Sequence, residues 1–155
     1  MKTRFITQAA IIAALYIILT YITNLFGLAS GAVQVRISEA LTVLPCFTFA
    51  AVPGLFVGCV ISNLITGCTI IDIVFGSLAT LIGAFGTYCV RKYKYLASIP
   101  PILANTIIIP FVLMYAAGTQ YSFWYFALTI FIGEAISCGV LGTYLIKIIY
   151  KRNIF

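Results

Sequence analysis

Apolar runs broken by short polar or Gly/Pro stretches fill the chain, and their lengths predict six helices. The first extends from about Phe5 to Phe26 and the second from about Arg36 to Ala51. A Val52–Pro53–Gly54 turn is expected next, because Pro and Gly punctuate local structure strongly. A third helix follows from about Gly54 to Thr66, a fourth from Asp72 to Val90, a fifth from Leu96 to Ala116 and a sixth from Phe123 to Ile149. A helix needs ~20 residues to cross the hydrocarbon core. The second and third are short for that, so they either tilt inside a bundle or are partly re-entrant. Pro100 and Pro101 suit the first turn of the fifth helix, and Pro110 is expected to kink it.

Composition turns these runs into membrane spans. Of 155 residues, 63% are hydrophobic and 8% charged, and the mean hydropathy is +1.17. A soluble domain carries about 25% charged residues. The chain is therefore expected to be an all-α integral membrane protein of the cell membrane. One transmembrane domain is expected over 1–155, with short loops leaving no room for a soluble one. The opening MKTRF and its apolar run resemble a secretory signal, but Phe5 to Phe26 exceeds a typical signal core of ~7–15 residues.

Charge sets the expected orientation. Nine Lys and Arg stand against three acids, a net charge of +6. The basic residues group as Lys2/Arg4, Arg91–Lys94 and Lys147–Arg152, with Arg36 apart. Under the positive-inside rule the three groups share the cytoplasmic side. Four crossings before Arg91 and two after it satisfy that, with both termini cytoplasmic. Fusing the second and third helices would place Arg91–Lys94 outside. The basic excess is thus assigned to topology rather than to nucleic-acid binding. Histidine is absent and the five cysteines form no CxxC, which argues against a transition-metal site. No GxxxxGK[ST] loop, Ser-His-Asp set or HExxH occurs, so neither a catalytic centre nor a resident cofactor is expected.

The few polar residues inside the apolar runs carry the functional reading. Glu39, Asp72 and Glu134 are the chain's only acids. An ionised group at a bilayer centre costs roughly 2.5–3.5 kcal/mol on insertion scales. Counting depth along the helices places Arg36, Glu39, Asn63, Asp72, Asn105 and Glu134 in the outer half. They describe a polar pocket open outward, under a flexible Gly27–Val35 loop that suits a lid. Each has a plainer reading as well. Arg36 and Glu39 can pair with each other, Asp72 can favour a helix N-terminus, and Asn63 and Asn105 can glue helices together. Glu134, with no basic residue nearby in sequence, is the hardest to explain that way. Three acids against one arginine favour a cationic or donor-rich ligand.

The first helix has a second pattern. Ala9/Ala13 and Ala10/Ala14 are overlapping small-xxx-small pairs, and Gly54/Gly58 is a GxxxG pair. In lipid such strips let helices approach closely. The alanines either pack within the bundle or form a docking face for another membrane subunit.

The blocks VQVRISEALTVLP (33–45), AAVPGLFVGCVISNL (50–64) and DIVFGSLATLIGA (72–84), with Ala104-Asn105-Thr106 and Gly133-Glu134, together resemble the queuosine-precursor transporter (QueT) family. Members are S components, the substrate-binding subunits of energy-coupling factor (ECF) importers. The resemblance implies a six-helix bundle with an outward ligand site and a 7-deazaguanine cargo such as preQ1 or queuine. It also implies a membrane T component and two ABC ATPases as partners. An AxxxA pattern on the first helix contacts the T component in related S components, and both alanine pairs match it. Two other readings stand beside this one: a self-sufficient proton-coupled transporter using Glu134 or Asp72, and a structural subunit with no ligand.

Overall fold

The computed structural model describes residues 2–27, 35–117 and 122–152. These fold entirely into helices and turns. Four helices are long and apolar enough to cross a membrane: α1 (Lys2–Leu25), α4 (Asp72–Cys89), a span over Lys94–Tyr115, and α6 (Phe123–Arg152). The Lys94–Tyr115 span combines a short 3-10 turn, Lys94–Leu96, with the main helix α5 (Ile99–Ala117). Two shorter apolar helices complete the bundle, α2 (Ile37–Cys46) and α3 (Ala51–Ile65). The large apolar side chains left exposed, among them Ile6, Ile11 and Phe111, face outward where lipid would cover them.

The stretch around Glu39 is the central element. α2 is a 3-10 helix, and Ser38 through Pro45 are all buried. It packs against α1, α3, α4 and α6. At about 2.0 Å per residue its ten residues extend about 20 Å, short of a full span of ~30 Å. Enclosure by the longer helices resolves that shortfall.

The expected turn at Val52–Pro53–Gly54 is not where the chain reverses. The reversal lies earlier, at 47–50, where Phe47 N–H and Thr48 N–H donate to Leu44 C=O and Ala51 N–H donates to Thr48 C=O. Pro53 falls in the first turn of α3, where no intrahelical N–H is required. Gly54 serves packing instead: a Cβ there would sit 2.7 Å from the Ala9 carbonyl oxygen. Pro100 and Pro101 do lie in the first turn of α5, and α4 approaches them through Gly83 and Gly86.

Cross-helix contacts give the direction of each segment. Ala9 meets Gly54 and Ala13 meets Gly58, so α1 and α3 run parallel. Thr20–Ser38, Tyr16–Glu39 and Gln8–Thr48 contacts make α2 antiparallel to α1. Direction then alternates through α4, α5 and α6, as the Cys59–Thr80, Gly83–Pro101 and Asn105–Glu134 contacts show.

One end of the bundle collects the basic clusters. Phe5 lies near Phe49, whose ring meets Tyr88 at 4.8 Å. The Arg91 guanidinium stacks over Tyr88 at 4.1 Å, and Lys94 Nζ sits over the Tyr150 ring at 4.2 Å. The start of α1, the end of α4 and the end of α6 therefore share that end.

Candidate functional site

A small cavity near mid-bundle is lined by Arg36, Glu39, Gly76, Thr80, Asn105, Ile109, Ile130 and Glu134. Four helices supply it: α2 and the residue before it, α4, α5 and α6. Glu134 lies eleven residues into α6, about 16 Å from its start. Glu39 and Glu134 are only 2% and 8% exposed.

Each glutamate is half satisfied. Tyr16 Oη donates to Glu39 Oε1 at 2.5 Å, and Asn105 Nδ2 donates to Glu134 Oε1 at 2.8 Å. The remaining oxygens, Glu39 Oε2 and Glu134 Oε2, are buried and find no hydrogen-bond partner among the described residues. A buried polar atom left unpaired costs about 1–3 kcal/mol, and more when charged. Both such atoms belong to residues that line the same cavity.

The other polar residues separate into those that reach the cavity and those that do not. Arg36, half-buried, lines it as the one cationic side chain among its lining residues. It is not what satisfies Glu39, whose bonded oxygen is held by Tyr16. Asn63 is buried one layer behind: its Nδ2 lies 3.4 Å from where a Gly76 Cβ would stand and contacts Cys59 Sγ. Asp72 sits at the start of α4, accepting from Thr69 Oγ1 at 2.7 Å while its own N–H donates to that hydroxyl. That arrangement closes a helix N-terminus, away from the cavity. The Gly27–Val35 lid falls almost wholly outside the described residues, at 28–34.

Neither Tyr16, which holds Glu39, nor Thr80 stands out in the sequence as a site residue. A tyrosine within an apolar helix has no polar signature that marks it, since tyrosine is common in membrane helices. Gly76 admits Asn63 on one side, and Thr80 bonds within α4 to Gly76 C=O at 3.1 Å.

Two stretches of looser helix border the cavity. A π-helical segment, Asp72–Gly76, ends at Gly76, and another, Ala135–Leu141, begins just after Glu134. Such segments re-aim side chains and accumulate at functional sites. A larger groove of about 840 Å³ runs along α4 and α5 past Phe75, Ile82, Ile107 and Phe111. It is apolar and open to the bilayer side, whereas Arg36, Glu39, Asn105 and Glu134 line the smaller cavity.

Comparison with known proteins gives the family. A family model described as QueT transporter matches residues 6–151. The chain belongs to the QueT transporter family. With its four long apolar helices, it is a multi-pass membrane protein of a transporter family, not an enzyme. A relative, the "Queuosine precursor transporter QueT" of Lactococcus lactis subsp. cremoris (strain MG1363), is 38% identical over 81 residues. That alignment covers 52% of this chain and 47% of the relative, so the chain matches just under half of that protein's length. No solved structure matches.

The two alanine pairs on α1 part company. Ala9 and Ala13 meet Gly54 and Gly58 of α3, with a Gly58 Cβ falling 3.2 Å from Ala13 Cα. Ala10 and Ala14 are exposed. The first pair packs inside the bundle, and the second faces outward.

Proposed function

We propose that this chain is the substrate-binding membrane subunit of an ECF-type, ATP-dependent importer, and that its cargo is a queuosine precursor of the 7-deazaguanine class. The observation that carries the reading is the pair of buried, unpartnered carboxylate oxygens on one cavity. A guanine-like edge offers an N–H and an NH2 side by side, which a carboxylate accepts. Two carboxylates against Arg36 leave a site of net charge about −1 when both ionise, which favours a ligand carrying a cation such as an aminomethyl group. Family membership and the printed name of the Lactococcus lactis relative point to the same cargo class.

In this reading Glu39 and Glu134 take the donor edge and the cationic arm, and Arg36 and Asn105 face the acceptor edge. Asn63 backs the wall through Gly76, and Asp72 stays with its helix end. The cavity of about 20 Å³ has room for one water molecule. A bicyclic base therefore enters only as the walls move apart, and the π-helical segments beside Gly76 and Glu134 are where the helices can give.

All six helices cross the membrane in this proposal, with both termini cytoplasmic. The parallel course of α1 and α3 fits a crossing by α2 and its flanking residues between them, and the shared basic end supports the orientation. A T component docks on Ala10 and Ala14, and two ABC ATPases supply the energy.

Titration calorimetry of the purified protein against 7-aminomethyl-, 7-cyano- and unsubstituted 7-deazaguanine tests the cargo. Preference for the aminomethyl compound is expected, and silence across the series rules the cargo out. The same half-satisfied glutamates would also suit a proton relay. Uptake by this chain without ATPase partners, abolished when the proton gradient is collapsed, would favour that second reading.

A further inference from the structure

Tyr16 stands behind the site. It belongs to α1, none of whose residues lines the cavity, and it is 1% exposed. Its ring belongs to the main core cluster with Ile12, Leu55 and Cys59. α3 closes on it where Gly58 leaves room: a Cβ at Gly58 would lie 2.9 Å from Tyr16 Cβ. A tyrosine fixed this firmly presents its hydroxyl at one place. That place is Glu39 Oε1.

A glutamate side chain has three rotatable bonds, and α2 alone does not choose among its rotamers. Thr20 Oγ1 donates to Ser38 Oγ at 2.8 Å, so α1 also grips the residue beside Glu39. With Oε1 held by the phenol, Oε2 is the oxygen left without a partner. Asn105 stands in the same relation to Glu134.

We infer that Tyr16 is a positioning residue for ligand binding, acting through Glu39: its hydroxyl occupies one carboxylate oxygen so that the other is presented to the ligand. The inference rests on the cargo proposed above. Preorganisation of this kind raises affinity because the ligand does not have to order the side chain itself.

A double-mutant cycle on 7-aminomethyl-7-deazaguanine affinity tests it, using Tyr16→Phe, Glu39→Ala and the two combined. Phenylalanine keeps the ring in the core and removes only the hydroxyl. Tyr16→Phe is expected to weaken binding by about tenfold or more. In the Glu39→Ala background the same change is expected to cost less than about twofold, because the carboxylate it orients is gone. Equal losses in both backgrounds would mark Tyr16 as a packing residue and overturn the inference. So would wild-type affinity in Tyr16→Phe. Should Tyr16→Phe fail to fold, Glu39→Asp leaves the ring in place and draws the carboxylate away from the phenol. A loss of affinity of about tenfold is then expected, and retained affinity overturns the inference. Wild-type protein that binds no 7-deazaguanine ends the cargo reading and this inference with it. Binding by the wild type with additive losses ends this inference alone.

Discussion

Glu39 and Glu134 are visible in the sequence because they have no ordinary place in an apolar chain, and the structure gives each a half-filled coordination. Substituting glutamine keeps the shape and the oxygen that Tyr16 or Asn105 holds, while removing the charge. Glu39→Gln and Glu134→Gln are each expected to weaken 7-aminomethyl-7-deazaguanine binding by about 10- to 100-fold, the range for a hydrogen bond to a charged group. Calorimetry reads the loss, and unchanged affinity in both variants would remove the carboxylates from ligand recognition. Asp72 makes a contrasting case. Its carboxylate is already engaged by Thr69 beyond the cavity. Asp72→Asn is therefore expected to leave affinity within about twofold in the same titration, an ordinary surface effect. Residue type announced all three acids, but only their partners separate the two that face the cavity from the one that ends a helix.

α1 works as a two-sided element. Its inner strip, Ala13, Tyr16, Thr20 and Thr23, is buried against α2 and α3. Its outer strip keeps Ala10 and Ala14 exposed. Small residues on both strips have one physical reason, close backbone approach in lipid, and the spacing alone does not say which strip faces which neighbour. Substitution separates them. Ala10→Leu with Ala14→Leu is expected to leave ligand binding and thermal stability unchanged while abolishing uptake in cells that carry the ECF partners. Gly54→Leu is expected to act on the fold, since its Cβ meets the Ala9 backbone rather than a movable side chain. A loss of about 1–3 kcal/mol, seen as a lower Tm of the ligand-free protein, matches typical overpacking. Uptake that survives the Ala10/Ala14 pair would move the docking face elsewhere.

At the scale of the molecule, the helices form a cage around α2, and the basic clusters gather at the end opposite the start of α6. If both termini are cytoplasmic, reporters fused to Lys2 and Arg152 should both be active only when the reporter functions inside the cell. Opposite responses from the two termini would require an odd number of crossings. Such a result would overturn the six-span proposal.

The sequence by itself determined the class of protein, the four long spans and the short list of polar residues set within apolar runs. Each follows from a local property: hydropathy over ~20 residues, or the cost of a charge in an apolar run. It placed the reversal between α2 and α3 wrongly, because Pro and Gly report backbone preference and not their reason for being there. Gly54 is small for the sake of Ala9, which lies 45 residues away. Tertiary structure alone decided that α2 is the buried centre, that Arg36 leaves Glu39 to Tyr16, and that Asn105 holds Glu134. Those pairings join segments distant in sequence. Nothing local in either partner encodes them, and they arise only when packing brings the helices together.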